Sequence, residues 1–270
     1  MAKTSSLRKS GGVRAKKSLG QNFLMHARTA ERIADVAHLS PDSVVLEIGP
    51  GTGQLTRALL ARAGKVIAVE ADVSLVEELQ QMFAAEITEG TLHLTHADIR
   101  TFDPNTLPRG YVLVANIPYY ITGELMRTFL SAENQPVSIT FLVQKEVAER
   151  IARSKKESLL SLSVKAYGTP RYEFTVPRGA FVPAPNVDSA ALSIVGISRD
   201  AFSTKSEETN FFKLIRAGFA HKRKQLLGNL KEIAPESAVV AALTSARISE
   251  KARAEDLALS DWLSLARTLH

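Results

Sequence analysis

The spacing of apolar residues along the chain changes period several times, and these changes divide it into elements. Val44-Val-Leu-Glu-Ile48 is a short run of apolar, mostly β-branched residues and predicts a strand; three glycines at spacing two follow it, Gly49, Gly51 and Gly53. Gln54-Leu-Thr-Arg-Ala-Leu-Leu-Ala-Arg-Ala comes next with helical spacing. Further strands are predicted over 65–69, 92–96, 111–115, 137–143, 172–176 and 189–195. Helices are predicted over about 29–37, from the end of the second strand to about 83, over about 123–130, and in segments reaching about 167. From about Ser206 the spacing is helical throughout, over 211–220, 222–231, 237–246 and 254–269. Strands alternating with helices predict a doubly wound α/β fold, a seven-stranded sheet with helices on both faces. The late helices predict a small all-helical domain with a boundary near 197–205, so the expected division is 1–17, 18–200 and 201–270.

Glycines between a strand and a helix let the backbone take conformations closed to other residues, let a ligand come close to the main chain, and turn the first helical amides toward it. The dinucleotide fingerprint G-x-G-x-x-G is not met, because the third glycine comes one residue early and Gln54 stands where Gly or Ala is expected. Taken alone, the turn reads equally well as a tight strand-to-helix connection. The other strand ends tip the balance. Acid or amide recurs at four of them, Glu47, Glu70, Asp98 and Asn116. Ligands of doubly wound sheets bind at the carboxyl ends of the strands. Glu70, after the second strand, is placed to accept both hydroxyls of a ribose, and Asp98 to accept from an adenine amine. Glu70 by itself also reads as an ordinary acid at a helix start.

A chain of 270 residues, 45% hydrophobic, can bury one large core or a core with a satellite domain. No apolar run of about 18 residues is present and the N-terminus lacks a secretory apolar segment, so no membrane span and a cytoplasmic location are expected. The absence of cysteine excludes disulfides and thiolate metal sites and suits a reducing compartment. His93 and His96 are an odd number apart on a predicted strand and face opposite sides, so no metal is expected. Neither a P-loop nor Gly-x-Ser-x-Gly occurs. The net charge of +6 is unevenly placed: residues 1–30 carry +7 with no acid, leaving −1 on the rest. An arm with Arg14, Lys16 and Lys17 suits phosphate neutralisation; a solvated tail is the plainer alternative. As an organelle transit peptide it would be poor, since residues 1–18 hold only Met1, Leu7 and Val13 as large apolar side chains.

Asn116-Ile-Pro-Tyr119 carries the candidate chemistry. A purine's exocyclic amine is a weak nucleophile because its lone pair is delocalised into the ring, and no side-chain base removes its proton near neutral pH. Two oriented acceptors, the Asn116 side-chain oxygen and the Ile117 carbonyl, would draw the nitrogen toward tetrahedral geometry. Pro118 restricts Ile117, Tyr119 offers a ring to stack on, and Phe181, in a loop stiffened by prolines, is expected to close the other face. Asn-x-Pro-Tyr alone is also a common loop with a buried tyrosine.

The pattern E-x-G-x-G-x-G resembles the first motif of S-adenosylmethionine (SAM) methyltransferases. Together with Gln21-Asn-Phe-Leu24, Asn116-Ile-Pro-Tyr119, Val143-Gln-Lys-Glu-Val-Ala-Glu-Arg150, Ala180-Phe-Val-Pro-Ala-Pro-Asn-Val-Asp-Ser189 and Lys222-Arg-Lys-Gln-Leu-Leu-Gly-Asn229, it makes the chain resemble the rRNA adenine N6,N6-dimethyltransferase family from about Lys16 to Asn229. The likeness is nearest to the branch acting in bacterial ribosome assembly. It implies SAM as cofactor, held by Asn22, Leu24, Gly49, Gly51, Gly53, Glu70 at the ribose, Asp98 at the adenine and Asn116 beside the methionine end. It implies two adjacent adenosines of the 3′-terminal hairpin loop of small-subunit rRNA as substrate, RNA contacts at Lys222, Arg223 and Lys224, and a monomer. The sequence departs from the family's commonest pattern at Ile117, where Leu is frequent, and at Gly228, where a second Asn often stands. Three alternatives stay open: a macrolide-resistance methyltransferase of large-subunit rRNA, a DNA adenine methyltransferase, and a non-catalytic assembly or transcription factor on the same fold.

Overall fold

The computed structural model describes residues 21–269; the basic arm with Arg14, Lys16 and Lys17 lies outside them. The described strands are β1 (Phe23–Leu24), β2 (Val44–Ile48), β3 (Lys65–Glu70), β4 (Leu92–His96), β5 (Val112–Asn116), β6 (Ser138–Gln144), β7 (Thr169–Val176), β8 (Phe181–Val182) and β9 (Ser189–Val195). The helices are α1 (Ala27–Val36), α2 (Gln54–Leu60), α3 (Val73–Met82), α4 (Ala84–Glu89), α5 (Thr122–Ser131), α6 (Lys145–Ala152), α7 (Leu159–Lys165), α8 (Lys205–Gly218), α9 (Leu226–Leu230), α10 (Glu236–Ser245) and α11 (Leu259–Thr268).

Seven strands form one sheet in the order β4-β3-β2-β5-β6-β9-β7. β2 to β6 run parallel, and β9 lies antiparallel between β6 and β7. The central strands are buried on both faces, with Val45, Leu46, Leu113, Val114 and Ala115 fully shielded, as continuous apolar runs require in a parallel sheet. One face is covered by α1, α2 and α3 through Ile33, Leu59 and Leu79, joined by Phe83. The other is covered by α5, α6 and α7 through Leu125, Phe129, Ile151 and Leu162, and that cluster continues into Phe211, Leu214 and Trp262 of the late helices. From β2 the chain builds outward through β3 and β4 on one side, and through β5 and β6 on the other. The order therefore reverses between β2 and β5, and a cleft opens beyond their carboxyl ends.

Several local features differ from expectation, three of them set by polar or long-range contacts. β1 and β8 pair as a separate antiparallel ladder, Phe23 opposite Val182 and Leu24 opposite Phe181, too short to leave an alternating pattern. α8 begins at Lys205, six residues before its apolar spacing: the Thr204 hydroxyl accepts from the Glu207 amide, and the Ser203 amide donates to the Glu207 carboxylate. The expected helix over 222–231 is a turn followed by the short α9. The buried Asn229 amide donates to the carbonyls of Gly218 and His221, pinning the turn that ends α8. Lys222, Arg223 and Lys224 consequently sit on an exposed turn and not on a helix face.

Candidate active site at the carboxyl ends of the central strands

The turn after β2 is built from residues in the left-handed region: Gly49 at φ 67° and Gly51 at φ 58°. Conformations of this kind are open to glycine at no steric cost. Across the turn stands Glu70 at the end of β3, only 6% exposed. Its Oε2 accepts from the Gly51 amide at 3.2 Å and its Oε1 from the Asp72 amide at 2.9 Å. Burial holds the Glu70 carboxyl above the ordinary carboxylate range, with these amide donors opposing the rise.

Gly53 also has positive φ, at 77°, but it faces away from the cavity: a Cβ there would lie 2.7 Å from the Phe83 ring and 3.1 Å from Leu79. Helix packing leaves no room for a side chain at this glycine, and unlike Gly49 and Gly51 it does not border the cavity.

Asp98, following β4, is on the cavity wall with Arg100. Arg100 Nε reaches both carboxylate oxygens at 3.1 Å, and Nη2 reaches Oδ2 at 2.6 Å. The guanidinium hydrogen bond is the main reason Asp98 is held below the ordinary carboxylate range.

Asn116, at the end of β5, has its amide orientation fixed from the other side of the cleft. Its Nδ2 donates to the Asn22 carbonyl at 3.2 Å, and the β1–β8 ladder holds Asn22 in place. With the donor end committed, Oδ1 is the acceptor this side chain has to offer. Pro118 is extended at φ −57° and ψ 133°, and its carbonyl accepts from the Ile121 amide. The Tyr119 hydroxyl is 2.6 Å from Ser189 Oγ on β9, which anchors a half-buried ring.

Asn22, Leu24, Gly49, Gly51, Glu70, Asp98, Asn116, Ile117, Pro118 and Tyr119 thus border one cavity. Phe181 does not: it is 2% exposed, and its ring is in the apolar cluster with Leu24 and Ala191. It pairs across the ladder with Leu24, which does border the cavity. Lys222, Arg223 and Lys224 are also away from the cavity, and Lys224 Nζ lies 3.5 Å from Glu232. Among the lining residues that the sequence reading missed are two polar side chains, Arg100 and Tyr120. Arg100 was within reach of inspection, since Asp-x-Arg is a local pairing pattern; Tyr120 was overshadowed by the tyrosine before it. Among the described residues, no group of three or more His, Cys, Asp or Glu is arranged to hold a metal ion.

The charged side chains of the wall are Glu70, Asp98 and Arg100, and the arginine is already matched by Asp98. A diphosphate would meet the Glu70 carboxylate at the very amide it needs. A nucleoside with a sulfonium and an amino-acid end would meet the carboxylates of Glu70 and Asp98 and, among the described lining residues, no cation but the matched Arg100, so these residues fit SAM. Fold and site together define a class I SAM-dependent methyltransferase.

The comparisons with known proteins narrow the class. The family model for ribosomal RNA adenine dimethylase matches residues 12–270, and the chain belongs to that family. It is 41% identical over 271 residues to the ribosomal RNA small subunit methyltransferase A of Dehalococcoides mccartyi (strain CBDB1), covering 98% of this chain and 92% of the relative. To the protein of the same name from Bacillus pumilus it is 36% identical over 280 residues, covering 99% and 95%. Among solved structures, a dimethyladenosine transferase from Plasmodium falciparum superposes with TM-score 0.77 at 26% identity, over 90% of this chain and 95% of that one. The 23S rRNA methyltransferase ErmE superposes with TM-score 0.75 at 28% identity, over 92% and 99%.

Proposed function

We propose that the protein, acting as a cytoplasmic monomer, dimethylates the exocyclic amines of two adjacent adenosines in the 3′-terminal hairpin loop of small-subunit rRNA during subunit assembly. The observation that carries this reading is the fixed Asn116 amide. A donor tied to the Asn22 carbonyl leaves an acceptor at the end of β5, in the cavity that Glu70 and Asp98 also line. When bound, SAM supplies a methyl group on a sulfonium, which is electrophilic enough to react with a neutral amine.

The chain's residues supply the rest. Glu70 accepts from the ribose, Asp98 from the cofactor's adenine amine, and the turn at Gly49 and Gly51 admits the ligand to the backbone. Asn116 Oδ1 and the Ile117 carbonyl accept the N–H bonds of the target amine. Both are set before the substrate arrives, so no reorganisation is needed at the moment of transfer. The Tyr119 ring, anchored through its hydroxyl to Ser189, carries the target base.

The likeness to ErmE favours a second reading, methylation of large-subunit rRNA. The two are separated by transfer from labelled SAM to immature small subunits and, in parallel, to large-subunit RNA. Dimethyladenosine at adjacent positions of the small subunit is expected; label confined to large-subunit RNA overturns the assignment.

A further inference from the structure

Tyr120 is the aromatic ring among the strongly exposed large apolar side chains of the described residues, at 65% exposure, and it stands on the rim of the candidate active site. Its orientation follows from the turn that carries it. Tyr119–Ile121 is one turn of 3₁₀ helix, in which successive side chains point about 120° apart. Tyr119 is held by Ser189, and Ile121 is 7% exposed in the core, so the third direction, outward over the cavity mouth, falls to Tyr120. The Ile121 amide on the Pro118 carbonyl and the burial of Thr122 fix the backbone on either side. The ring is therefore presented to solvent on a rigid support.

Arg100 stands close by, within electrostatic reach of the Tyr120 hydroxyl and of Glu124. Asp98 occupies its Nε and Nη2 edge, and its side chain is still 51% exposed. The Nη1 edge remains available, and guanidinium edges match phosphate oxygens. An exposed ring beside an oriented cation, at the mouth of a pocket that takes one adenine, has the chemistry of a nucleotide platform.

We propose that Tyr120 and Arg100 form a second nucleotide site outside the cavity. It holds the nucleotide adjacent to the reacting adenosine, with its unpaired base stacked on the Tyr120 ring and its phosphate on the Nη1 edge of Arg100. This rests on the function proposed above, in which the substrate carries two adjacent adenosines. While one base is inside, its neighbour is held on the rim, and the same platform serves in reverse when the second base enters.

The test is steady-state transfer to immature small subunits by Tyr120→Ala, Tyr120→Phe and Arg100→Gln, with cofactor affinity followed separately by calorimetry. Loss of a stacking platform raises the KM for subunits about 5- to 150-fold in Tyr120→Ala, while Tyr120→Phe stays near wild type. The Kd for SAM stays within about twofold in both tyrosine variants, where a ring stacked on the cofactor would give a larger loss. On subunits whose neighbouring adenosine is changed to uridine, the effect of Tyr120→Ala shrinks, a non-additivity that a merely structural role would not produce. Arg100→Gln makes the salt dependence of subunit affinity shallower by about 0.7, the value for one single-strand phosphate contact. Tyr120→Ala with an unchanged KM overturns the platform, as does a loss confined to SAM affinity. An unchanged salt slope in Arg100→Gln overturns the phosphate half and with it the nucleotide site as stated. Wild-type protein that transfers nothing to small subunits overturns the function proposed above together with the platform, and is distinct from all three.

Discussion

Glu47, in the middle of the sequence motif, has no exposure, and neither carboxylate oxygen has a hydrogen-bond partner among the described residues. The Thr56 hydroxyl is nearby, but it too is unpartnered, so the two do not meet in hydrogen-bonding geometry. Burial pushes the Glu47 carboxyl up to about 8, with nearby Glu70 adding to the rise. The group is thus protonated at neutral pH in the folded protein and ionised in the unfolded one. Below the ordinary value of 4.5 both states are protonated and no cost arises. As pH rises toward about 8 the unfolded state ionises first, and stability is lost over that window. Urea unfolding of Glu47→Gln against wild type should show the variant gaining roughly 3 kcal/mol between about pH 5 and about pH 7.5. Parallel stability curves would show that Glu47 does not hold a proton. The acid was visible in the sequence as one of four strand-end polar residues, but its isolation was not. Isolation depends on what the flanking strands β3 and β5 bring near it, and those strands are distant in the chain. The place of Asn116 on the cavity wall was legible for the opposite reason: it follows from its own local motif, although its anchor, the Asn22 carbonyl, is 94 residues away.

Elements with a strong apolar period were readable to within a few residues. β2 and β9 stand at their expected ranges because near-continuous burial leaves an unbroken run, and β4 does so on the alternation of Leu92 and Leu94 with polar residues. Elements set by polar or long-range contacts were not readable. The capped start of α8, the turn before α9 and the two-residue ladder of β1 and β8 owe their existence to Thr204, Asn229 and pairing between strands far apart in the chain. Glycines show the same divide. Gly49, Gly51 and Gly53 look alike in sequence, yet a Cβ at Gly53 would press on α3 and Phe83, while one at Gly49 would meet only the Asn116 carbonyl at 3.9 Å. Gly53→Ala, strained at φ 77° and overpacked, should lower stability by about 1–3 kcal/mol, measured by urea unfolding. Wild-type stability in this variant would contradict the packing role.

For the whole molecule, charge and topology divide the labour. The first 30 residues carry +7 and the remainder −1, so the chain's basicity is concentrated before the sheet begins. Deleting residues 1–17 removes six basic side chains. The dependence of small-subunit affinity on log salt should become shallower by up to about 4, with cofactor affinity little changed because Asn22 and Leu24 remain. An unchanged slope, measured by filter binding over a salt series, would make the arm a solvated tail. Topology does the rest: the reversal between β2 and β5 brings the glycine turn and Asn116 to opposite lips of one cleft, and the β1–β8 ladder locks Asn22 against it. Cofactor binding and methyl transfer should then be separable at Asn116. In Asn116→Ala the turn, Glu70 and Asp98 stay in place, so SAM should bind with a modest loss. Single-turnover transfer to immature small subunits should fall roughly 100- to 1,000-fold, the cost of one preoriented acceptor in a closed site. The second methylation of each amine should suffer more than the first, since a monomethylated amine has one N–H left to orient. A folded Asn116→Ala that binds SAM and still forms dimethyladenosine at the wild-type rate would contradict the mechanism.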